Sequence, residues 1–123
     1  MQVLRIEDSE GNGPWTSRIK DNNLALRRAL DNKSCSPRFP TPYSKGEPWE
    51  GETPSPRPPH KEVFGFLFEE DLERWFGDCL PHMKGTGFKI TRYEVPRTKV
   101  KVGNSGQVAF PKRKAVLVQI QEI

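Results

Sequence analysis

Few residues in this chain carry the side chains that chemistry usually needs. It has two cysteines and two histidines: Cys35, His60, Cys79 and His82. Only Cys79-x-x-His82 has a spacing that suits a metal, and a structural zinc site normally draws on two such close pairs. Cys79 reads better as a small buried hydrophobe. A hydrolytic triad needs a nucleophile, a base and an orienting group, and neither histidine neighbours a nucleophile signature such as G-x-S-x-G. Gly11-Asn12-Gly13 lacks the third glycine and the following helix of a dinucleotide fingerprint. Gly103-Asn104-Ser105-Gly106 lacks the lysine of a phosphate loop and reads as a hairpin turn. Glu69-Glu70-Asp71 are consecutive on an expected helix, so their carboxylates point apart and suit a solvated helix start. No catalytic residue, metal ligand or cofactor is expected.

Basic and aromatic residues offer a second chemistry. Lys99, Lys101, Lys112, Arg113 and Lys114 neighbour the strand aromatics Phe88, Tyr93 and Phe110. Cations beside stacking rings are the composition of single-strand nucleic-acid surfaces. No RNA-binding consensus accompanies them, and lysines also protect edge strands. The expectation is weak nucleic-acid binding at most.

The elements that must position these residues follow from composition and pattern. A chain of 123 residues bounds the answer to one domain, residues 1–123. Hydrophobic residues make up 33% of it, below the roughly 45–50% of ordinary domains even after the ten glycines that figure would include are added, so the core must be small. No apolar run is long enough to span a bilayer, and the acidic start MQVLRIEDSE has no secretory apolar region. The chain therefore reads as cytoplasmic. The net charge of +4 is polarised: residues 62–83 carry six acidic and one basic side chain, residues 84–123 nine basic and two acidic. Such a field could steer association, while a DNA mimic would be acidic throughout.

Gln2–Glu7 alternates as a first strand, followed by a turn over Asp8–Trp15. Asp21 or Asn22 is expected to cap a short helix through Leu30, burying Leu26, Ala29 and Leu30. Residues 34–60 hold eight of the twelve prolines and form a long Pro-rich loop that carries Phe39, Tyr43 and Trp49. Val63–Phe68 is an apolar strand or turn. The spacing of Phe68, Leu72, Trp75, Phe76, Cys79 and Leu80 lays one apolar stripe along a helix that Pro81 ends. The remainder, residues 84–123, is strand-rich: Phe88–Val95, Val100–Val102, Gln107–Phe110 and Ala115–Ile120. Short connections favour an antiparallel meander covered by that helix, so the fold class is α+β.

The blocks Arg5-Ile6-Glu7, Gly11-Asn12-Gly13-Pro14-Trp15, Phe64-Gly65-Phe66, Leu72-Glu73-Arg74-Trp75-Phe76, Gly87-Phe88-Lys89-Ile90, Tyr93-Glu94-Val95-Pro96 and Gln107-Val108-Ala109-Phe110 carry a resemblance. Together they resemble a group of small bacteriophage and prophage proteins, over most of the chain except the Pro-rich loop. The resemblance implies an accessory protein acting in the bacterial cytoplasm. Small phage proteins of this kind often inhibit host defence by binding one of its proteins, and anti-CRISPR proteins are one sort. A host bacterial protein is then the expected partner, without membrane association. Trp15, Tyr43 and Trp49 are the candidate contacts, because these residue types are enriched at binding hot spots and lie outside the periodic segments. Trp75 sits on the apolar stripe and belongs to the core.

A second similarity is to ADP-ribosyltransferase-like folds. It would set Arg5 on a diphosphate, Tyr43 against nicotinamide and Gln107 where a glutamate usually orients a ribose hydroxyl. A glutamine there cannot serve as a carboxylate base, so this similarity implies nucleotide binding more readily than transfer.

Overall fold

The apolar alternation at the start of the chain produces β1 (Gln2–Glu7), which becomes a central strand of the sheet. The computed structural model describes residues 1–34, 62–103 and 106–123. Apart from Ser34, the Pro-rich loop with Tyr43 and Trp49 lies outside the described residues, as do Asn104 and Ser105 of the hairpin turn.

After β1, Asp8 organises the following loop. Its Oδ1 accepts the amides of Glu10 and Asn12, both at 2.9 Å, and its Oδ2 accepts the Ser17 hydroxyl at 2.6 Å. A 3-10 turn over Ile19–Asn22 then leads into α1 (Leu24–Ser34). The cap is Asn23, one residue later than expected, because its Oδ1 can reach the Leu26 amide at 3.1 Å. The helix also runs past Leu30 to Ser34, since the next proline comes only at position 37. Leu26 and Leu30 are buried, as their spacing predicts.

Next come β2 (Glu62–Phe66) and α2 (Glu69–Phe76). Leu72, Trp75, Phe76 and Cys79 are buried, so the apolar stripe is real. Its expected limits are corrected at both ends. Phe68 stands at the N-cap in extended geometry and is 61% exposed, too early to share the helical face. Pro81 opens a separate short helix, α3 (Leu80–Met83), where its missing amide costs no hydrogen bond.

The strands β3 (Lys89–Glu94), β4 (Lys101–Val102), β5 (Gln107–Pro111) and β6 (Val116–Glu122) join β1 and β2 in a sheet that has six strands among the described residues, in the order β4-β5-β2-β1-β3-β6. Every pairing is antiparallel, which fits the α+β class. The arrangement is not the expected meander. Among the described strands only β4 and β5 form a local hairpin, while β3 and β5 sit on opposite sides of the β1–β2 pair. A central β1 is favoured because Val3, Leu4 and Ile6 need burial on both faces.

One face of the sheet carries Leu4, Ile6, Phe66 and Ile90 against α1, α2 and α3. The other carries Val3, Tyr93, Val108 and Phe110 in a second cluster. β3 and β5 are three strand spacings apart, about 14 Å in a flat sheet. Yet the rings of Tyr93 and Phe110 have centroids 6.2 Å apart. Residues Lys112–Ala115, partly a 3-10 turn, also carry the chain from β5 to β6. A flat sheet would require them to cover about 19 Å, more than about five coiled steps allow. The sheet is therefore curled around its second face.

Close approach inside the curl explains Gly65. A Cβ there would stand 2.6 Å from the Leu4 carbonyl oxygen and 2.6 Å from Val3 Cγ1. Only a hydrogen fits.

Candidate functional site

Strand alternation sends Arg5 and Glu7 to the same face as Val3, into the concave side of the sheet. Cross-strand partners share a face, so Thr91 and Tyr93 join them from β3. Lys112 arrives from the turn between β5 and β6. Glu7, 2% exposed, is the centre of the group. Its Oε1 accepts from Arg5 Nε at 3.2 Å and from Thr91 Oγ1 at 3.0 Å. Its Oε2 accepts from Lys112 Nζ at 2.7 Å, and the Tyr93 hydroxyl also donates to this carboxylate. Arg5 donates a further hydrogen bond to the Phe64 carbonyl at 2.6 Å, and the Lys112 ammonium lies 5.9 Å from the Tyr93 ring centroid.

The electrostatics follow from burial and pairing. Burial pushes the Glu7 carboxyl upward. The hydrogen bonds from Lys112 and Tyr93 and the charges of Arg5 and Lys112 more than offset this, holding it below the usual carboxylate range. Burial lowers the Arg5 guanidinium, with Glu7 acting in the opposite sense. Burial and the bond to Glu7 raise the Tyr93 phenol. A carboxylate held ionised between two cations makes a poor general base, and a raised phenol makes a poor acid. Each named polar group is already engaged, so the cluster is built to hold the curled sheet closed.

The expected site residues are placed as follows. Arg5 lies in the concave cluster, bonded to Glu7 and Phe64. Gln107 pairs across the sheet with Phe66, and Phe66 pairs onward to the strand position of Leu4. Gln107 therefore occupies the helix-covered face, and the structure does not bring it to Arg5. Tyr43 and Trp49 lie outside the described residues. Trp15 is 40% exposed and packs on Phe76 at 5.6 Å between ring centroids, while Trp75 is buried against Phe66. Among the five basic residues, Lys101 pairs with Glu62 at 3.2 Å and Lys112 turns inward to Glu7. Lys99, Arg113 and Lys114 remain exposed.

Sequence reasoning missed the cluster around Glu7. One signal was present: Arg5 and Glu7 stand two apart in an otherwise apolar strand, which puts both charges on one face. Cys79 is buried and His82 exposed, and no group of three potential metal ligands occurs among the described residues.

No described helix is long and apolar enough to cross a membrane. The whole chain, residues 1–123, matches a family model for small phage proteins, described as the Bacteriophage T4 Y00F protein. The chain belongs to that family. No curated protein and no solved structure is similar to it at a significant level.

Proposed function

We propose that this phage-family protein is a non-enzymatic binding protein that attaches to and inhibits a protein of the bacterial host. A component of host defence, such as a CRISPR-Cas effector, is the target class. The observation that carries this reading is Trp15, a large aromatic left 40% exposed and held in place by Phe76. An anchored tryptophan at the surface loses little conformational freedom when a partner covers it, which suits a hot spot. Tyr43 and Trp49 are proposed to extend the contact. The engagement of Arg5, Glu7, Tyr93 and Lys112 with one another favours binding over catalysis. The reading also accords with membership of a phage family.

The test expresses the chain in bacteria that carry defined defence systems and measures plating of a phage those systems restrict. Restored plating is expected in at least one strain, and Trp15→Ala or Trp49→Ala should abolish it while leaving most of the stability intact. Unchanged restriction throughout the panel would overturn the defence reading. Full activity in both variants would overturn the assigned contact.

A further inference from the structure

The two edges of the sheet are built differently. β4 is two residues long and carries Lys101, so it offers little to another strand. Short length and a lysine are ordinary protection against edge-to-edge association. β6 is the opposite case. It is seven residues long, holds no proline or lysine, and among the described residues pairs on one side only, with β3. All seven residues are exposed, among them Val116, Leu117, Val118 and Ile120. A run of β-branched and aliphatic residues on an open edge is a template for a further strand.

We propose that β6 is the interface of a homodimer, in which two copies pair their β6 strands antiparallel and join their sheets into one. Charge and register select a second copy as the occupant. The basic turn Lys112–Lys114 stands immediately before β6, and Glu122 stands at its far end. Antiparallel pairing about a two-fold axis brings the basic turn of each copy alongside Glu122 of the other, so one attraction occurs twice. The bulge in the β3–β6 ladder fixes the faces. Leu117 stands opposite Tyr93 and Ile120 opposite Thr91, which places both on the concave face although they are three residues apart. With the axis between Val118 and Gln119, Leu117 of one copy faces Ile120 of the other, again twice. Exposed aliphatic side chains thereby become cross-strand pairs. Lys89 already bonds to Glu122, but that carboxylate is 80% exposed and has room for a second cation.

Sedimentation equilibrium on the full chain over a range of concentrations tests this. A monomer–dimer equilibrium is expected, weakening as salt rises. Ile120→Lys should raise the dissociation constant roughly tenfold or more by setting a charged side chain opposite Leu117 in each apolar pair. Lys114→Glu, at an exposed position, should weaken it more mildly, and Lys114→Glu combined with Glu122→Lys should recover part of the loss. Circular dichroism of each variant checks that the fold is retained. A wild-type chain that stays monomeric at the highest concentration would overturn the proposal. So would a dimer that neither Ile120→Lys nor Lys114→Glu weakens, since it would use another surface.

Discussion

Lys112 Nζ lies 2.7 Å from Glu7 Oε2 and 2.9 Å from the Gly11 carbonyl oxygen. A single ammonium group thus joins the turn that ends β5 to the last residue of β1, 105 residues earlier in the chain, and to the loop that follows it. The same contact spans the mouth of the curled sheet. Its partner Glu7 is buried, which decides what happens when either member is removed.

Glu7→Gln should destabilise the protein by about 3–5 kcal/mol, because it leaves the buried Arg5 guanidinium without its counter-charge. Lys112→Met should cost less, about 1–3 kcal/mol, since Glu7 keeps Arg5 and Thr91. Chemical denaturation of both variants gives the comparison. Equal losses would contradict the central place of Glu7.

Stability should fall in acid. The Glu7 and Asp8 carboxyls both lie below their ordinary values in the folded chain: burial pushes each upward, and hydrogen bonds outweigh it. The unfolded chain therefore takes up protons first as pH drops. Their contribution is complete above the unfolded values, near pH 4, and disappears as pH falls through the lower folded values. The melting temperature should be flat near neutrality and decline below about pH 4.5. Asp8→Asn should make that decline shallower, as a thermal melt series will show.

Gly65→Ala should cost about 1–3 kcal/mol through overpacking, because its methyl group would meet the Leu4 carbonyl and the Val3 side chain. Backbone oxygen on one side leaves little room for relief. A melting temperature equal to wild type would show that β1 and β2 can separate locally.

The two tryptophans flanking Phe76 should behave differently. Trp75→Ala removes a buried ring and should cost about 3–5 kcal/mol. Trp15→Ala should leave most of the stability intact, and its effect should appear in partner binding. Denaturation midpoints measured side by side will separate the two roles.

Binding to nucleic acid should be weak and sensitive to salt. Of the five candidate residues, Lys101 and Lys112 are paired with carboxylates, which leaves Lys99, Arg113 and Lys114 for phosphate contact in this region. With so few contacts, affinity for single-stranded DNA or RNA should be detectable at low salt and lost near physiological ionic strength. Salt-resistant binding to a defined sequence would contradict this.

Local patterns carried much of this fold into the sequence. The alternation of Gln2–Glu7, the stripe through Leu72, Trp75, Phe76 and Cys79, and the positions of the later strands were all legible. Their signals lie within a few residues of one another. Strand order was not legible, because β3 and β5 choose β1 and β2 as neighbours through burial on both faces, a property of the assembled sheet. Phe68 and Pro81 were misread for a smaller reason. A helical stripe says which residues share a face, but it does not say where the first turn begins. For the Glu7 cluster, the Arg5–Glu7 spacing was visible in β1, whereas nothing local announces that Lys112 will complete it.

The central place of β1 also sets a timetable for synthesis. The ribosome delivers this strand well before its neighbours β2 and β3, which follow at residues 62–66 and 89–94. Lys112 emerges later still. Until then Val3, Leu4 and Ile6 have no sheet to enter, and the charges of Arg5 and Glu7 have no enclosure. Long-range pairing of this kind makes folding slow and leaves early apolar segments open to aggregation. The nascent chain must therefore keep β1 unpaired on its β3 side until residue 94 has emerged, and the enclosure of Glu7 waits for Lys112.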